Sequence, residues 1–201
     1  MSKKPHGFTI VELVVVIVVI AILAAITVMG YRGIQQQAKN TAIVNNTEAW
    51  MRMLNTMYAK NGVIKVDITS EERSICLGTK DQYPETADLD EGQCAWRAYT
   101  SDQLETVISK IGKVSMTVDT IDGFRGLQYG YDYETGITNN KTNSVLWFVL
   151  HGEGQDCGAV SGGTVSQYEE SGDGYTTCFV NIKQEMGVNP IILVVDGVPW
   201  V

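Results

Sequence analysis

One acidic residue, Glu12, lies inside a long apolar segment close to the N-terminus. The 22 residues from Phe8 to Met29 contain only Thr9, Glu12 and Thr27 as polar side chains. An ionised carboxylate in a membrane-spanning helix costs roughly 2.5 to 3.5 kcal/mol near the bilayer centre and somewhat less near its edge. An uncompensated acid is unfavourable here, so Glu12 is the first candidate for a functional residue.

Four cysteines form the second group of reactive side chains, and all of them follow the apolar segment. An even number of cysteines outside the membrane predicts disulfide bonds made in an oxidising compartment. Pairing Cys76 with Cys94 and Cys157 with Cys178 closes two loops with sequence separations of 18 and 21. Four cysteines allow three pairings, and neither separation fits the short spacing typical of zinc sites. We expect these two local bridges and no metal.

Few side chains remain for catalysis or for binding a cofactor. His6 and His151 are the two histidines, so a histidine-based triad or a multi-histidine metal site is not expected. One glycine-rich loop carries several acids that could ligate calcium, but they lack EF-hand spacing and are better explained as solvated carboxylates. These acids are Glu153, Asp156, Glu169, Glu170 and Asp173. We expect no enzyme activity and no cofactor.

The apolar segment is long enough to cross a membrane. As a helix rising about 1.5 Å per residue it spans roughly 33 Å, close to the thickness of a bilayer core. A cleaved secretory signal has a shorter apolar run that is followed by a small-x-small site, and no such site follows Met29. Lys3 and Lys4 precede the segment and Arg32 and Lys39 follow it, so positive charge is nearly balanced. The cysteines therefore decide the orientation, with the C-terminal part outside.

The start of the apolar segment resembles a known signal. The run Lys3-Lys4-Pro5-His6-Gly7-Phe8-Thr9-Ile10-Val11-Glu12-Leu13 is similar to the class III signal of type IV prepilins and pseudopilins. The resemblance covers about the first 30 residues. It implies that a prepilin peptidase cuts between Gly7 and Phe8 on the cytoplasmic side and then methylates the new N-terminal amine of Phe8.

The same resemblance gives Glu12 a role in assembly. Glu12 would be the fifth residue of the mature chain, where this family keeps an acid that meets the positively charged N-terminus of a neighbouring subunit. A paired carboxylate is tolerated in an apolar setting, so this contact is expected to set axial register. The implied partners are other pilin subunits, the prepilin peptidase, and the assembly platform with its motor. The sequence names no surface or host-cell receptor.

The predicted fold is α+β and type IV pilin-like, with a long N-terminal helix packed on a C-terminal antiparallel sheet. We expect a removed leader at 1–7, the membrane half of the helix at 8–30 and its amphipathic half at 31–61. An apolar stripe on the second half consists of Ile43, Trp50, Leu54 and Met57, at helical spacing. Many pilins break this helix with a proline. Here Gly30 and Gly33 each weaken it by about 1 kcal/mol relative to alanine, and we hypothesise unwinding there in the filament.

Residues 62–201 are predicted to form an extracellular head. It comprises a loop region at 69–100, a short helix at 101–112 and an antiparallel sheet within 114–195. Thr100 and Gln103 fit a capping box at the start of the short helix. Apolar patterns predict strands at 64–68, 114–118, 127–133, 144–150, 176–182 and 191–195. Tyr129, Tyr131 and Tyr133 share one strand face, which favours packing under a helix over an exposed adhesive patch.

Net charge excludes one class of function. The formal charge is −8, from 15 basic against 23 acidic residues, and loss of the leader leaves 13 against 23, or −10. This balance argues against a general nucleic-acid binder.

The leading interpretation is a structural subunit of a type IV pilus. It would pass through a single-pass stage in the inner or cytoplasmic membrane and polymerise into an extracellular filament for adhesion, twitching motility or DNA uptake. Three alternatives are a type II secretion pseudopilin, a minor pilin with a ligand-binding head, and an anchored binding domain that never polymerises. Two disulfides favour a pilin, because major pseudopilins usually have smaller heads without them.

Overall fold

The computed structural model describes residues 9–68, 72, 74–112, 114, 120–131, 144–160, 164–168, 174–182, 190–195 and 198–199. The chain divides into two compact units, residues 1–38 and residues 39–201. A long N-terminal helix and a mostly antiparallel sheet head are both present. The predicted α+β, pilin-like class is therefore confirmed.

Helix α1 runs through Ile10–Asn61 without a break. No proline occurs between residues 8 and 61, so every backbone N–H in the helix interior can donate. The helix continues through Gly33 in this single chain, and unwinding in a filament stays a prediction. It ends where Gly62 adopts a φ of 68° and donates its N–H to the carbonyl of Tyr58 at 2.8 Å. Such a left-handed glycine is a common helix terminator.

The apolar stripe of α1 within residues 39–61 supplies the centre of the head core. Ile43, Trp50, Leu54 and Met57 are all buried, and Trp50 is completely inaccessible. They belong to one hydrophobic cluster with side chains from both main sheets. The predicted packing role of this stripe is confirmed, since burial of large apolar side chains is the main stabilising term in such a core.

The head contains twelve strands and a second helix within the described residues. The strands are β1 (Ile64–Ile68), β2 (Ser74–Cys76), β3 (Gln93–Ala95), β4 (Ala98–Tyr99), β5 (Thr120–Ile121), β6 (Phe124–Arg125), β7 (Gln128–Tyr131), β8 (Ser144–His151), β9 (Thr164–Tyr168), β10 (Tyr175–Asn181), β11 (Ile191–Val195) and β12 (Val198–Pro199). Helix α2 covers Asp102–Ile111, and a short 3-10 helix covers Lys80–Gln82.

The strands form one large sheet and two small ones. The seven-stranded sheet has the order β3-β4-β2-β7-β8-β10-β9, the three-stranded sheet has the order β1-β11-β12, and β5 pairs with β6. Strands β8 and β10 form a long antiparallel pair next to the edge strand β9 of the large sheet, with Phe148 opposite Cys178. Strand β8 is buried on both faces, which explains its continuous apolar run, whereas β10 alternates.

Two pairings depart from a purely antiparallel sheet. Strand β1 pairs with β11 in parallel, and β2 pairs with β4 in parallel. The partner of β1 therefore lies more than 120 residues away along the chain, which alternation of apolar residues cannot indicate. Of the strand expected at 114–118, Val114 is described outside any strand and the remainder lies outside the described residues.

Helix α2 begins one residue later than the capping pattern predicts. Ser101, not Thr100, is the N-cap, and its hydroxyl accepts from the Leu104 N–H at 3.5 Å. Both residues can cap a helix. Thr100 instead donates its N–H to the carbonyl of Gly92 at 2.8 Å, which keeps it in the preceding loop. Gly112 ends the helix, as expected.

Tyr129 links the two main sheets. Its ring is fully buried, and its hydroxyl donates to the carbonyl of Ile191 in β11 at 2.6 Å. A buried tyrosine hydroxyl needs such a partner. The adhesive-patch interpretation is therefore wrong for Tyr129, while Tyr133 lies outside the described residues.

Asn40 fixes a loop of the head to the helix at the start of the second unit. Its amide nitrogen donates to the His151 carbonyl at 3.0 Å, and its amide oxygen accepts from the His151 N–H at 2.9 Å. The same nitrogen donates to Gln155 Oε1 at 3.1 Å. Val44, one helical turn after Asn40, lies against the same loop, because a Cβ added at Gly158 would be 3.3 Å from its side chain. The loop after β8 therefore lies directly against α1.

Replacing Asn40 by alanine is expected to destabilise the head by about 2 kcal/mol, because it removes the hydrogen bonds of the Asn40 side chain to the His151 carbonyl and N–H. The measurement is urea unfolding of the full chain in detergent. Asn55→Ala is the matched control, since the Asn55 amide donates within its own helix, to the Met51 carbonyl at 3.1 Å. Equal midpoints for the two variants would show that the Asn40 contacts contribute nothing.

Candidate assembly site

Thr9 and Glu12 form a reciprocal cap at the start of α1. The Glu12 carboxylate accepts from the Thr9 N–H at 2.8 Å and from the Thr9 hydroxyl at 2.7 Å, and the Glu12 N–H donates to Thr9 Oγ1 at 3.3 Å. This is the geometry of a capping box, in which a threonine and a glutamate three residues later satisfy each other's backbone donors. The sequence Thr-Ile-Val-Glu carries that signal, although Thr9 was not predicted to cap the helix.

The charge of Glu12 has no cationic contact among the residues that the structure describes. Its hydrogen-bond partners are the backbone and hydroxyl of Thr9, which are neutral donors. Neutral hydrogen bonds stabilise an ionised carboxylate less than contact with a cation does. The carboxylate is exposed and thus available to a group from another molecule.

Between Leu13 and Val28, apolar side chains cover almost the whole surface of the helix. Every residue from Ile10 to Val28 is exposed. The one polar group beyond Glu12 in this stretch, Thr27, donates its hydroxyl to the Ala24 carbonyl at 2.9 Å, so it does not need water. The helix is long and apolar enough to cross a membrane by length and composition. An all-round apolar helix of this kind requires lipid or other helices around it.

The predicted processing residues, Gly7 and Phe8, lie outside the described residues. The first described residue is Thr9, which directly follows Phe8. Cleavage after Gly7, methylation of Phe8 and the assembly role of Glu12 are therefore taken up below as proposals.

Both predicted cysteine pairs are in contact. The sulfur atoms of Cys76 and Cys94 are 2.00 Å apart, and those of Cys157 and Cys178 are 2.01 Å apart. The first bridge joins β2 to β3, and the second joins the loop after β8 to β10. All four side chains are buried. The chain therefore holds two disulfides and, within the described residues, no free cysteine.

The loop closed by Cys76 and Cys94 folds around Tyr83. The ring of Tyr83 is fully buried between Gly78 and Gly126, two glycines with positive φ. A Cβ at either position would lie 2.7 Å from the ring, so a larger residue would not fit there. The Tyr83 hydroxyl donates to the Leu77 carbonyl at 2.7 Å. Burial raises the pKa of Tyr83, so the phenol stays protonated and remains a donor.

Arg125 donates hydrogen bonds to backbone carbonyls inside this loop. Its guanidinium is buried and donates to the carbonyls of Gln93 at 2.6 Å, Asp90 at 2.9 Å and Pro84. It also lies 5.7 Å from the ring centroid of Tyr83. Burial lowers the pKa of Arg125, and the nearby Tyr83 acts in the opposite direction. The sequence carried no signal for this arrangement, since the arginine is 31 residues beyond the loop that it fills.

The acidic loop shows local contacts in its described part. Glu153 Oε1 accepts from the Gly174 N–H at 3.3 Å, and Asp156 Oδ1 accepts from the Gly158 N–H at 2.9 Å. Glu169, Glu170 and Asp173 lie outside the described residues. Among the residues that are described, no group of three histidine, cysteine or acidic side chains could hold a metal ion.

Comparison with known proteins identifies the N-terminal segment. Residues 2–28 match the family model of the prokaryotic N-terminal methylation motif. The match confirms the resemblance of residues 3–13 to the class III signal of the type IV pilin and pseudopilin family. It covers the signal and the apolar helix, not the head. No curated protein and no solved structure matches the chain.

The signal and the helix together fit a membrane-anchored precursor. The methylation motif at residues 2–28 overlaps the apolar first part of a helix, Ile10–Asn61, that is long enough to span a bilayer. Proteins with this motif are processed by a prepilin peptidase and assemble into pilus-type polymers. The N-terminal segment is thus similar to that of type IV pilin-like and pseudopilin proteins, a family whose members are typically structural.

Proposed function

We propose that the chain is a structural subunit of a type IV pilus, cut between Gly7 and Phe8 and polymerised into an extracellular filament. The observation that carries the proposal is the methylation motif at residues 2–28 placed directly on an apolar helix. Removal of residues 1–7 eliminates Lys3 and Lys4 and leaves the helix in the membrane. The new N-terminus can then leave the cytoplasmic side when the subunit joins a polymer.

The Glu12 contacts support a role in assembly. Among the residues that the structure describes, the hydrogen-bond partners of this carboxylate are neutral and no cation contacts it. A neighbouring subunit offers a cation of the right kind, the N-methylated amine of Phe8. If two neighbouring subunits shifted along the filament axis by a helical turn or more, this ion pair would separate. Both charges would then lie in an apolar surrounding without a partner, which is strongly unfavourable. Glu12 thereby sets the axial position of each subunit.

The two disulfides support a filament exposed to the environment. They close loops with separations of 18 and 21 residues, and each is expected to contribute about 3 kcal/mol through the entropy of the unfolded chain. A subunit on a surface filament has no access to cytoplasmic chaperones, and such bridges keep its head folded. They form in the oxidising compartment that the proposed location provides.

The proposal is tested by shearing cells and examining the released material with an antibody against the head and by electron microscopy. Cells that make the unsubstituted chain are expected to release filaments that contain it. Gly7→Glu should abolish them, because a charged side chain blocks the peptidase at the scissile bond, and the full-length precursor should accumulate in membranes. Ser2→Glu is the matched control, with the same added charge away from that bond.

A pseudopilin of a secretion system is the second candidate, because the matched motif is common to both classes. It predicts a different distribution of the processed chain. The protein would be cleaved and would stay with the cell envelope after shearing. Processed protein that is never released would therefore exclude the pilus and favour the secretion system, whereas released long filaments would exclude the pseudopilin.

A further inference from the structure

Trp96 is the most exposed large apolar side chain of the described head, with 77% of its surface accessible. Within the described part of residues 39–201, Val63 is the other large apolar residue that is exposed, at 42%. Tryptophan has a large apolar area, and in interfaces it is among the residues that contribute most to binding. An isolated exposed tryptophan is therefore a candidate contact residue.

The structure holds Trp96 in a fixed position. Ala95 pairs with Ala98 across β3 and β4, so Trp96 and Arg97 form the entire loop of a hairpin. Ala95 and Ala98 are buried, and the neighbouring Cys94 is bonded to Cys76. A contact residue on such a base loses little conformational freedom on binding, which favours affinity.

Arg97 completes this tip, which we define as Trp96 and Arg97. It has a φ of 60°, a conformation that glycine and asparagine adopt more readily than arginine. Its guanidinium carbon lies 4.2 Å from the centroid of the Trp96 ring, within the range of a cation–π contact. A guanidinium that stacks on an aromatic ring keeps its planar fork of N–H donors, which fits a carboxylate.

The charge around the tip indicates an acidic partner. Residues 93–100 contain one cation and no acid, in a chain that would carry 13 basic and 23 acidic residues after loss of the leader. The segment 85–91 carries exposed carboxylates within seven residues. These are Glu85, Asp88, Asp90 and Glu91. Lys80 lies 3.4 Å from Glu91, which leaves the segment as a whole negative.

We propose that the tip docks on the acidic segment 85–91 of a second copy of this chain. The proposal rests on the proposed function, which places copies side by side in a polymer. Arg97 pairs with a carboxylate of the neighbour, and Trp96 covers the apolar atoms around it. The two surfaces differ, so each copy can donate its tip to one neighbour and accept a tip from another, as an open polymer requires.

The test places the photo-crosslinking residue p-benzoylphenylalanine at position 96 of the full chain and irradiates sheared filaments. We expect a crosslink between two copies, with the second site inside residues 85–91 by mass spectrometry. The matched control carries the same residue in place of Val63, which is exposed elsewhere in the head, and should not crosslink to that segment. A crosslink from position 96 that reaches only other parts of the chain, a glycan or another protein would overturn the proposal.

A charge exchange provides the second measurement. Arg97→Glu should lower the crosslinked dimer about tenfold or more, the loss expected for a central charged contact. Combining it with Asp88→Lys should restore the yield. Undiminished crosslinking in Arg97→Glu filaments would contradict the role of the arginine. If unsubstituted cells release filaments and the tip does not crosslink, the docking proposal alone fails; if they release none, the pilus proposal fails and the docking proposal with it.

Discussion

Glu12→Gln is expected to abolish filament release while the head stays folded. The substitution keeps the size and hydrogen-bonding capacity of the side chain and removes its charge. In the proposed polymer, the amine of a neighbouring Phe8 then lies in an apolar surrounding without a counter-charge. Breaking a buried pair in this way costs about 3 to 5 kcal/mol, which corresponds to more than about a hundredfold at each subunit contact. Sheared material is measured by immunoblot, and the folded head by resistance to protease.

Thr27→Val is the matched control for this result. It also removes a polar group from the apolar helix, but Thr27 donates to the Ala24 carbonyl of its own helix and carries no charge. Filament yield should stay close to that of the unsubstituted chain. If both variants lose filaments equally, polarity in the helix matters in general and the charge of Glu12 has no special role.

Replacing Cys76 and Cys94 together by serine is expected to cost the head at least about 3 kcal/mol, from the loop entropy alone. The total should exceed that of the Cys157→Ser, Cys178→Ser pair, although the separations of 18 and 21 residues are similar. The reason is that the first loop holds Tyr83 between Gly78 and Gly126, and this packing depends on the closed loop. The measurement is denaturant unfolding of the full chain in detergent.

The two disulfide variants control each other. Both remove one bridge, but the loop around Cys157 has a different anchor, since Asn40 and Val44 hold it against α1. Typical domains have a stability of about 5 to 15 kcal/mol, so the Cys76 and Cys94 variant is expected to lose a substantial fraction of it. Equal losses in the two variants would contradict the special contribution of the Tyr83 core.

Local patterns in the sequence were enough to predict the elements that lie on a single continuous stretch. The stripe of Ile43, Trp50, Leu54 and Met57 follows helical spacing, and these residues are buried. Strands β8, β10 and β11 occur where apolar runs or alternation predict them. These signals are sufficient because burial of one face imposes a period on the residues of that element.

Contacts between distant parts of the chain could not be predicted in this way. The parallel pairing of β1 with β11 joins two segments with no common pattern. In the sequence, Asn40 looks like an ordinary polar helix residue, and only the structure shows its contact with His151. Arg125 likewise looks like a surface cation, and only the structure shows that the loop around Tyr83 buries it. Their partners are backbone groups, which every residue carries, so the sequence does not indicate which of them will be used.

At the candidate site, the sequence was enough to predict the prepilin signal and the importance of Glu12, but not the contacts that Glu12 makes. Glu12 was recognised from the cost of a carboxylate in an apolar helix. Its reciprocal bonds with Thr9 follow from a capping pattern that the sequence contains. Near α2 the same kind of pattern is ambiguous by one position, because Thr100 and Ser101 are both good caps. Neighbouring contacts of Thr100 with Gly92 decide between them.

Mass spectrometry of the N-terminus of filaments sheared from cells tests the central claim most directly. A processed and assembled subunit should give an abundant peptide that begins at Phe8 and carries one methyl group on its amine. Recovery of the chain only in the membrane fraction, with Met1 or Ser2 at its start, would contradict processing and assembly together. The chain would then be a domain held in the membrane by an uncleaved anchor.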